Sequence, residues 1–275
     1  MEEYDYFGYN TGTDVVPSDV FRISPSQISK FFDSTTNWYR EHLLGESGFT
    51  GNTNTALGNC VHAAAEMYVR EGTVRNDLIT NYVVSLDSTY DKSFILEQYP
   101  GMANILINDY LRFNMPDKTE LFLATEVIPS VWCGGSLDGY LSSGIITDYK
   151  TTSSKTPPKN ISRPYWFQQM TYAWIARKLG MKVDSFRLIY ITTNELNRVS
   201  EKTGKPLKDY PSTVTVLNHV ITDLDIEIID NSINLIAKSV DKWNTNPELR
   251  YLLAQDMRLQ LPQKRESKFF NKGAK

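Results

Sequence analysis

Nowhere in the 275 residues is there an apolar run of 18, so no membrane-spanning helix is expected. Cysteine is nearly absent. Cys60 and Cys133 are too few for a disulfide framework and lack zinc-finger spacing, so a reducing cytoplasmic setting is the expected one. An excess of positive charge is also missing: Lys and Arg number 29 against 32 Asp and Glu, for a net charge of −3. A polyanion would therefore have to be met by a local basic patch on an acidic molecule. Met1–Asp5 is acidic and is followed by no apolar stretch, so neither a secretory leader nor an Arg-rich transit peptide is expected. No Walker motif, internal repeat or low-complexity segment occurs, so no nucleotide cofactor is expected. What remains, 41% apolar and 22% charged, is the composition of an ordinary globular protein of one large domain.

The chain divides into a polar segment 1–22, expected to be loosely ordered, one domain over 23–261, and a basic tail 262–275 expected to be mobile. Ser24-Pro25-Ser26-Gln27 reads as a helix start, with Ser at the N-cap, Pro in the first turn and Gln three after the cap. Helical periodicity continues at Leu57–Val69, Asp77–Glu97 and Met102–Phe113, with Tyr99-Pro100-Gly101 as a break, giving a helical part over about 23–115. The period then shortens. Glu120–Val131, Gly134–Leu141 and Ile145–Thr151 read as strands, the last two joined by the hairpin loop Ser142-Ser143-Gly144. A helix from about Pro164 to Leu179, closed by Gly180, precedes strands at Phe186–Thr192 and Thr213–Thr222, and Asn194–Pro211 between them reads as a projecting hairpin or loop. The sheet core thus covers about 119–222, with a last helix over about 225–244. The fold class is α/β.

The chemically informative stretch is Gly134-Gly135-Ser136-Leu137-Asp138-Gly139, the hairpin, then Ile146-Thr147-Asp148-Tyr149-Lys150. Side chains at i and i+2 of a strand share a face, so Asp148 and Lys150 are co-facial, and pairing of the hairpin can bring Asp138 close enough to share a cation with Asp148. Such oxygen ligands suit Mg²⁺, and a bound cation activates water and stabilises charge on a phosphate. A neighbouring lysine orients or deprotonates that water and screens the transition state. An Asp-x-Lys pair also occurs on many surface hairpins. Here Asp148 sits in an apolar strand, where an unpaired charge is costly, and glycines flank Asp138, leaving room for a phosphate backbone.

This arrangement resembles the PD-(D/E)XK nuclease superfamily, in its RecB-like exonuclease branch. Gly58-x-x-x-His62 resembles the branch's upstream helical motif and Glu126 the acid of its first core strand. Asp138 with Asp148-x-Lys150 resembles the central motif, and Gln168-x-x-x-Tyr172 the motif on the following helix. The likeness spans roughly Ser24–Thr192 and implies a restriction-endonuclease-like mixed central sheet of αβββαβ order, with a helical region over the active site. It implies Asp138, Asp148, Lys150 and Glu126 as catalytic groups. His62, Asp138, Asp148 and the Tyr149 backbone carbonyl would hold Mg²⁺ or Mn²⁺. Leu137 stands where the superfamily often has Pro, and the four cysteines that hold an iron–sulfur cluster in some relatives are absent, so no cluster is expected. Glu66, four after His62, either orients the imidazole or simply faces solvent.

From Tyr149 to Val183 there is no Asp or Glu, while Lys155, Lys159 and Arg163 follow the catalytic strand and Tyr165, Trp166 and Phe167 interleave. Lys155, Lys159 and Arg163 are expected to contact DNA, with Gln168 and Tyr172 at the edge of the cleft. Trp166 and Phe167 suit a core equally well. The expected activity is a metal-dependent DNA exonuclease of recombination, repair or replication, with a structure-selective endonuclease and a catalytically silent DNA-binding module as alternatives. The expected partners are a DNA end or single strand and, by analogy, a single-strand-binding or annealing protein, with no membrane.

Overall fold

The computed structural model describes residues 5–8, 14–46, 51–196, 199–200, 203–246 and 248–249. Six strands form one mixed sheet: β1 (Phe21–Ile23), β2 (Lys118–Ile128), β3 (Val131–Leu141), β4 (Ile145–Thr152), β5 (Ser185–Thr192) and β6 (Val214–Val220). The helices are α1 (Gln27–Asp33), α2 (Thr35–His42), α3 (Thr53–Glu71), α4 (Asn76–Ser85), α5 (Lys92–Leu106), α6 (Arg163–Lys178) and α7 (Asp223–Thr245), with a π-helical turn Ile107–Leu111 after α5. The fold is mixed α/β with helices on both faces of the sheet, and the expected order of core elements is present. No described helix is long and apolar enough to cross a membrane.

The sheet separates two cores. On one face α1, α2, α6 and α7 bury Ile28, Phe31, Trp38, Met170, Ile233 and Trp243 against Leu137, Ile146 and Leu188. On the other, α3, α4 and α5 bury Val61, Met67, Ile79 and Met102 against Tyr149, Ile189 and Ile191. Helix ends follow local chemistry. The Asn52 side chain accepts the Thr55 N–H at the start of α3, and Gly72, at φ 74°, closes it. Thr222 and Asp225 form a reciprocal capping box on α7.

The long strand β3 organises the site. One edge pairs antiparallel with β2 from Val131 to Tyr140. The other edge is shared: Val131–Cys133 pair parallel with β1, and Gly139–Leu141 pair antiparallel with β4. Between them, Gly134–Asp138 has no strand on that side, so the sheet is split there. Leu137 and Tyr140 both enter the α6-side core although three apart, which a regular strand forbids. The strand therefore turns over at Asp138–Gly139. Opposite the turn Glu120 has φ 47°, the one described non-glycine residue in the left-handed region, and the ladder misses its pair with Asp138 while Thr119↔Gly139 and Leu121↔Leu137 hold on either side. Such a conformation costs on the order of 1–3 kcal/mol and has to be held by its surroundings.

Several boundaries differ from the sequence reading. Segment 1–22 is not uniformly loose, because Phe21 and Arg22 join β1, where Phe21 pairs with Val131. The Ser24 N–H is accepted by Gln27 Oε1 at 3.2 Å, as in a capping box, but Pro25 and Ser26 form a turn and regular helix begins at Gln27. Tyr99-Pro100-Gly101 does not break the helix. α5 runs through it with Pro100 on its exposed side, because Ile95, Tyr99, Met102, Ala103 and Leu106 form one continuous buried stripe. The helical break falls instead at 86–91. The tail 262–275 lies outside the described residues.

Gly134 fits its place because no side chain does: a Cβ there would lie 2.6 Å from Ala124 Cβ and 2.9 Å from the Leu123 carbonyl. Gly134→Ala is expected to force β2 from β3 and to destabilise the protein by about 1–3 kcal/mol, measurable by urea unfolding. Unchanged stability would contradict this close approach.

Candidate active site

At the split, the edge of β4 that β3 has left is taken up by side chains. Asp138 Oδ2 accepts the Tyr149 N–H at 2.7 Å. The Tyr149 carbonyl lies 2.9 Å from His62 Nε2, and His62 Nδ1 lies 3.4 Å from Asp138 Oδ1. The Thr119 hydroxyl donates to the Asp138 carbonyl at 2.9 Å, fixing the turned strand. His62 is delivered by α3, whose small residues Ala63, Ala64 and Ala65 allow close packing on the sheet.

His62, Glu120 and Asp138 each offer one ligand atom, all within 4.8 Å of one another. Burial alone would lower the His62 pKa, but the Asp138 carboxylate and then Glu120 outweigh it and push it up to about 9. Burial, with the Asp138 charge added, pushes Glu120 up to about 8. Burial would raise Asp138 as well, yet the His62 imidazole, Lys150 and the Tyr149 N–H hold it below the usual carboxylate range. The cluster thus has two carboxylates facing one another without enough positive charge to ionise both. Two carboxylate oxygens, an imidazole nitrogen and the nearby Tyr149 carbonyl make a donor set that fits a hard divalent cation, with the nitrogen making it hospitable to Mn²⁺.

Asp148 and Lys150 form a second group beside the first. Asp148 is 4% exposed, and its Oδ2 lies 2.7 Å from Lys150 Nζ. Burial raises the Asp148 pKa, with the Asp138 charge assisting against Lys150. Lys150 is raised: burial, which would lower it, is overcome by Asp148 and then Asp138. It stands as an ammonium, suited to orienting and screening rather than to taking a proton. Lys150 donates to Gln168 Oε1 at 3.3 Å, and the Tyr172 hydroxyl donates to the Ser136 carbonyl on the unpaired edge of β3.

The first group, His62, Glu120 and Asp138, lines a cleft of about 730 Å³ between α3, the β2–β3 face, the turn after β1 and residues Asp5–Gly8. Arg22, Ser24, Ser26 and Arg70 line it together with His62, Glu120, Asp138 and Tyr172. Arg22 and Arg70 carried no distinguishing pattern in the sequence.

Three expectations change. Glu126 is not the acid of this site: it is exposed, pairs with Trp132, and lies six residues, or about 20 Å, along β2 from Glu120. Glu120, opposite Asp138, takes its place. Glu66 does not reach the imidazole, because its carboxylate is held by Arg70 at 2.7 Å. That arginine also donates to the Thr119 carbonyl at 3.3 Å, so the pair braces β2 just before Glu120. Finally, Asp148 is drawn to Lys150 and stands outside the close group formed by His62, Glu120 and Asp138.

Of the basic residues after β4, Lys155 pairs with Glu195 at 2.8 Å and lies over the Tyr210 ring. Arg163 meets Asp33 at 3.1 Å, and Lys159 is exposed. Phe167 belongs to the core and Trp166 packs against it.

No protein-family model and no curated protein sequence matches the chain. Among solved structures, the chain is similar to a candidate exonuclease from Eubacterium rectale, with a TM-score of 0.54 and 17% identity over 87% of this chain and 85% of that one. That likeness establishes a shared fold. The alkaline exonuclease LHK-Exo of Laribacter hongkongensis superposes with a TM-score of 0.39 and 10% identity, over 86% of this chain and 93% of that one.

The geometry predicts that Glu120→Gln and Asp138→Asn each weaken Mn²⁺ binding at least about tenfold in calorimetric titration, while Glu126→Gln leaves it unchanged. Loss on Glu126→Gln with retention on Glu120→Gln would reverse the assignment.

Proposed function

We propose that the chain is a metal-dependent DNA exonuclease of the PD-(D/E)XK type. One observation carries the reading: a carboxylate–imidazole group (His62, Glu120, Asp138) lies at a split in the sheet, beside the buried Asp148–Lys150 pair, and opens into a cleft. The fold shared with the Eubacterium rectale protein is in keeping with it.

A bound divalent cation would supply Lewis-acid charge to a scissile phosphate and lower the pKa of an attacking water. The protein's own groups do the rest. Asp138 fixes the backbone of Tyr149 and so keeps that carbonyl turned toward His62. Glu120, held across from Asp138 by the turned strand, adds the second carboxylate. Asp148 keeps Lys150 charged, and the ammonium is placed to orient the nucleophile and to screen charge as it develops on the phosphate. Gln168 sets the direction of that ammonium. Lys155, Lys159 and Arg163, on the loop leaving β4 and the first residue of α6, would contact the backbone of the strand, Lys155 and Arg163 by exchanging Glu195 and Asp33 for phosphate. The cleft walled by α3 and Asp5–Gly8 would take one strand entering by its end.

Two outcomes test this. Asp148→Asn and Lys150→Met are each expected to slow cleavage by at least about 100-fold while DNA binding persists. On end-labelled linear, nicked circular, covalently closed and single-stranded DNA with Mg²⁺ or Mn²⁺, degradation should start from ends, and chelator should stop it. Efficient linearisation of closed circles would indicate an endonuclease. Binding without cleavage under every metal condition would indicate a silent module.

A further inference from the structure

Lys150 has three N–H bonds to place. One faces Asp148 Oδ2 at 2.7 Å and a second goes to Gln168 Oε1 at 3.3 Å. The ammonium also stands 4.9 Å from the ring centroid of Tyr165. Tyr165, Gln168 and Tyr172 follow one another at i, i+3 and i+7 on α6, so all three lie along the helix edge nearest the split sheet. The Tyr165 ring is backed in turn. Tyr190, in register with Lys150 across β4–β5, meets it edge-on with centroids 6.3 Å apart, and is itself 3% exposed. The buried Tyr190 ring limits how far the Tyr165 ring can swing.

We propose that Tyr165 is a positioning residue for Lys150: its ring face holds the ammonium's third N–H where the scissile phosphate will later accept it. The proposal rests on the nuclease reading. A ring face is the weakest of the three partners, since the other two are a carboxylate and an amide oxygen. It is thus the one given up when an anionic phosphate oxygen arrives, and the Asp148 and Gln168 contacts remain. With an aliphatic side chain at 165 the ammonium would lose this guide, and either water or a different rotamer would take the third position.

The test compares Tyr165→Leu with Tyr165→Phe, and uses Tyr165→Met if the leucine variant unfolds. NMR of selectively labelled lysine reports the ring-current shift of the Lys150 side chain. That shift should persist in Tyr165→Phe and vanish in Tyr165→Leu. In kinetics on single-stranded DNA, Tyr165→Leu should lower kcat roughly tenfold with KM nearly unchanged, and Tyr165→Phe should recover at least about half of the wild-type rate by keeping the ring face. A Lys150 shift insensitive to Tyr165→Leu overturns the proposal. So does a vanished shift with kcat unaltered, or a loss that appears only as lowered thermal stability. The nuclease reading is judged separately by the wild-type rate, and the NMR comparison judges the Tyr165 contact whatever that rate is.

Discussion

Two carboxylates, Asp138 and Glu120, stand opposite one another across β2 and β3 in a partly buried place, with one imidazole within 4.8 Å of both. Like charges so close cannot both be ionised without added positive charge. The rise of Glu120 to about 8 and of His62 to about 9 expresses the same shortage from two sides. A divalent cation relieves it more fully than protons do, because it neutralises both carboxylates at once. The neighbouring features are the means by which the chain assembles and tolerates this concentration of charge.

The sheet is split where the charge sits. Because β4 leaves β3 after Gly139↔Thr147, the Tyr149 amide and carbonyl are free to meet side chains rather than another strand. The turn of β3 at Asp138 and the left-handed backbone of Glu120 bring the two acids to face α3. Glu66 and Arg70 tie α3 to the Thr119 carbonyl, and Tyr172 satisfies the Ser136 carbonyl on the open edge. The two cores, one on each face, hold α3 and α6 at fixed heights above the split. His62 and Lys150 are therefore placed by packing on opposite sides of the same gap.

Much of this was legible before the structure. Alternation and the Ser142-Ser143-Gly144 turn gave the β3–β4 hairpin, and the i, i+2 rule gave the Asp148–Lys150 pair that the structure shows at 2.7 Å. Glu126 stands out in the sequence because Ala124, Val127 and Ile128 around it are apolar, and that pattern carries no register for β2. A turn at Pro129-Ser130 places position 121 opposite Asp138, and the one-residue irregularity between Glu126 and Ile128 moves that partner to Glu120. A bulge leaves no mark in periodicity, so a single strand pattern cannot find it. Pro100 misled for the opposite reason: local propensity argues for a break, and the buried stripe of α5 overrides it. Arg70 and Tyr165 were unreadable because their roles depend on partners 49 and 15 positions away, Thr119 and Lys150, and no motif marks them.

The most direct measurement is anomalous diffraction from crystals of the protein grown with Mn²⁺. The account predicts a peak within about 2.5 Å of ligand atoms from His62, Glu120 and Asp138. A peak at Glu126, or none at this group under saturating Mn²⁺, would contradict it.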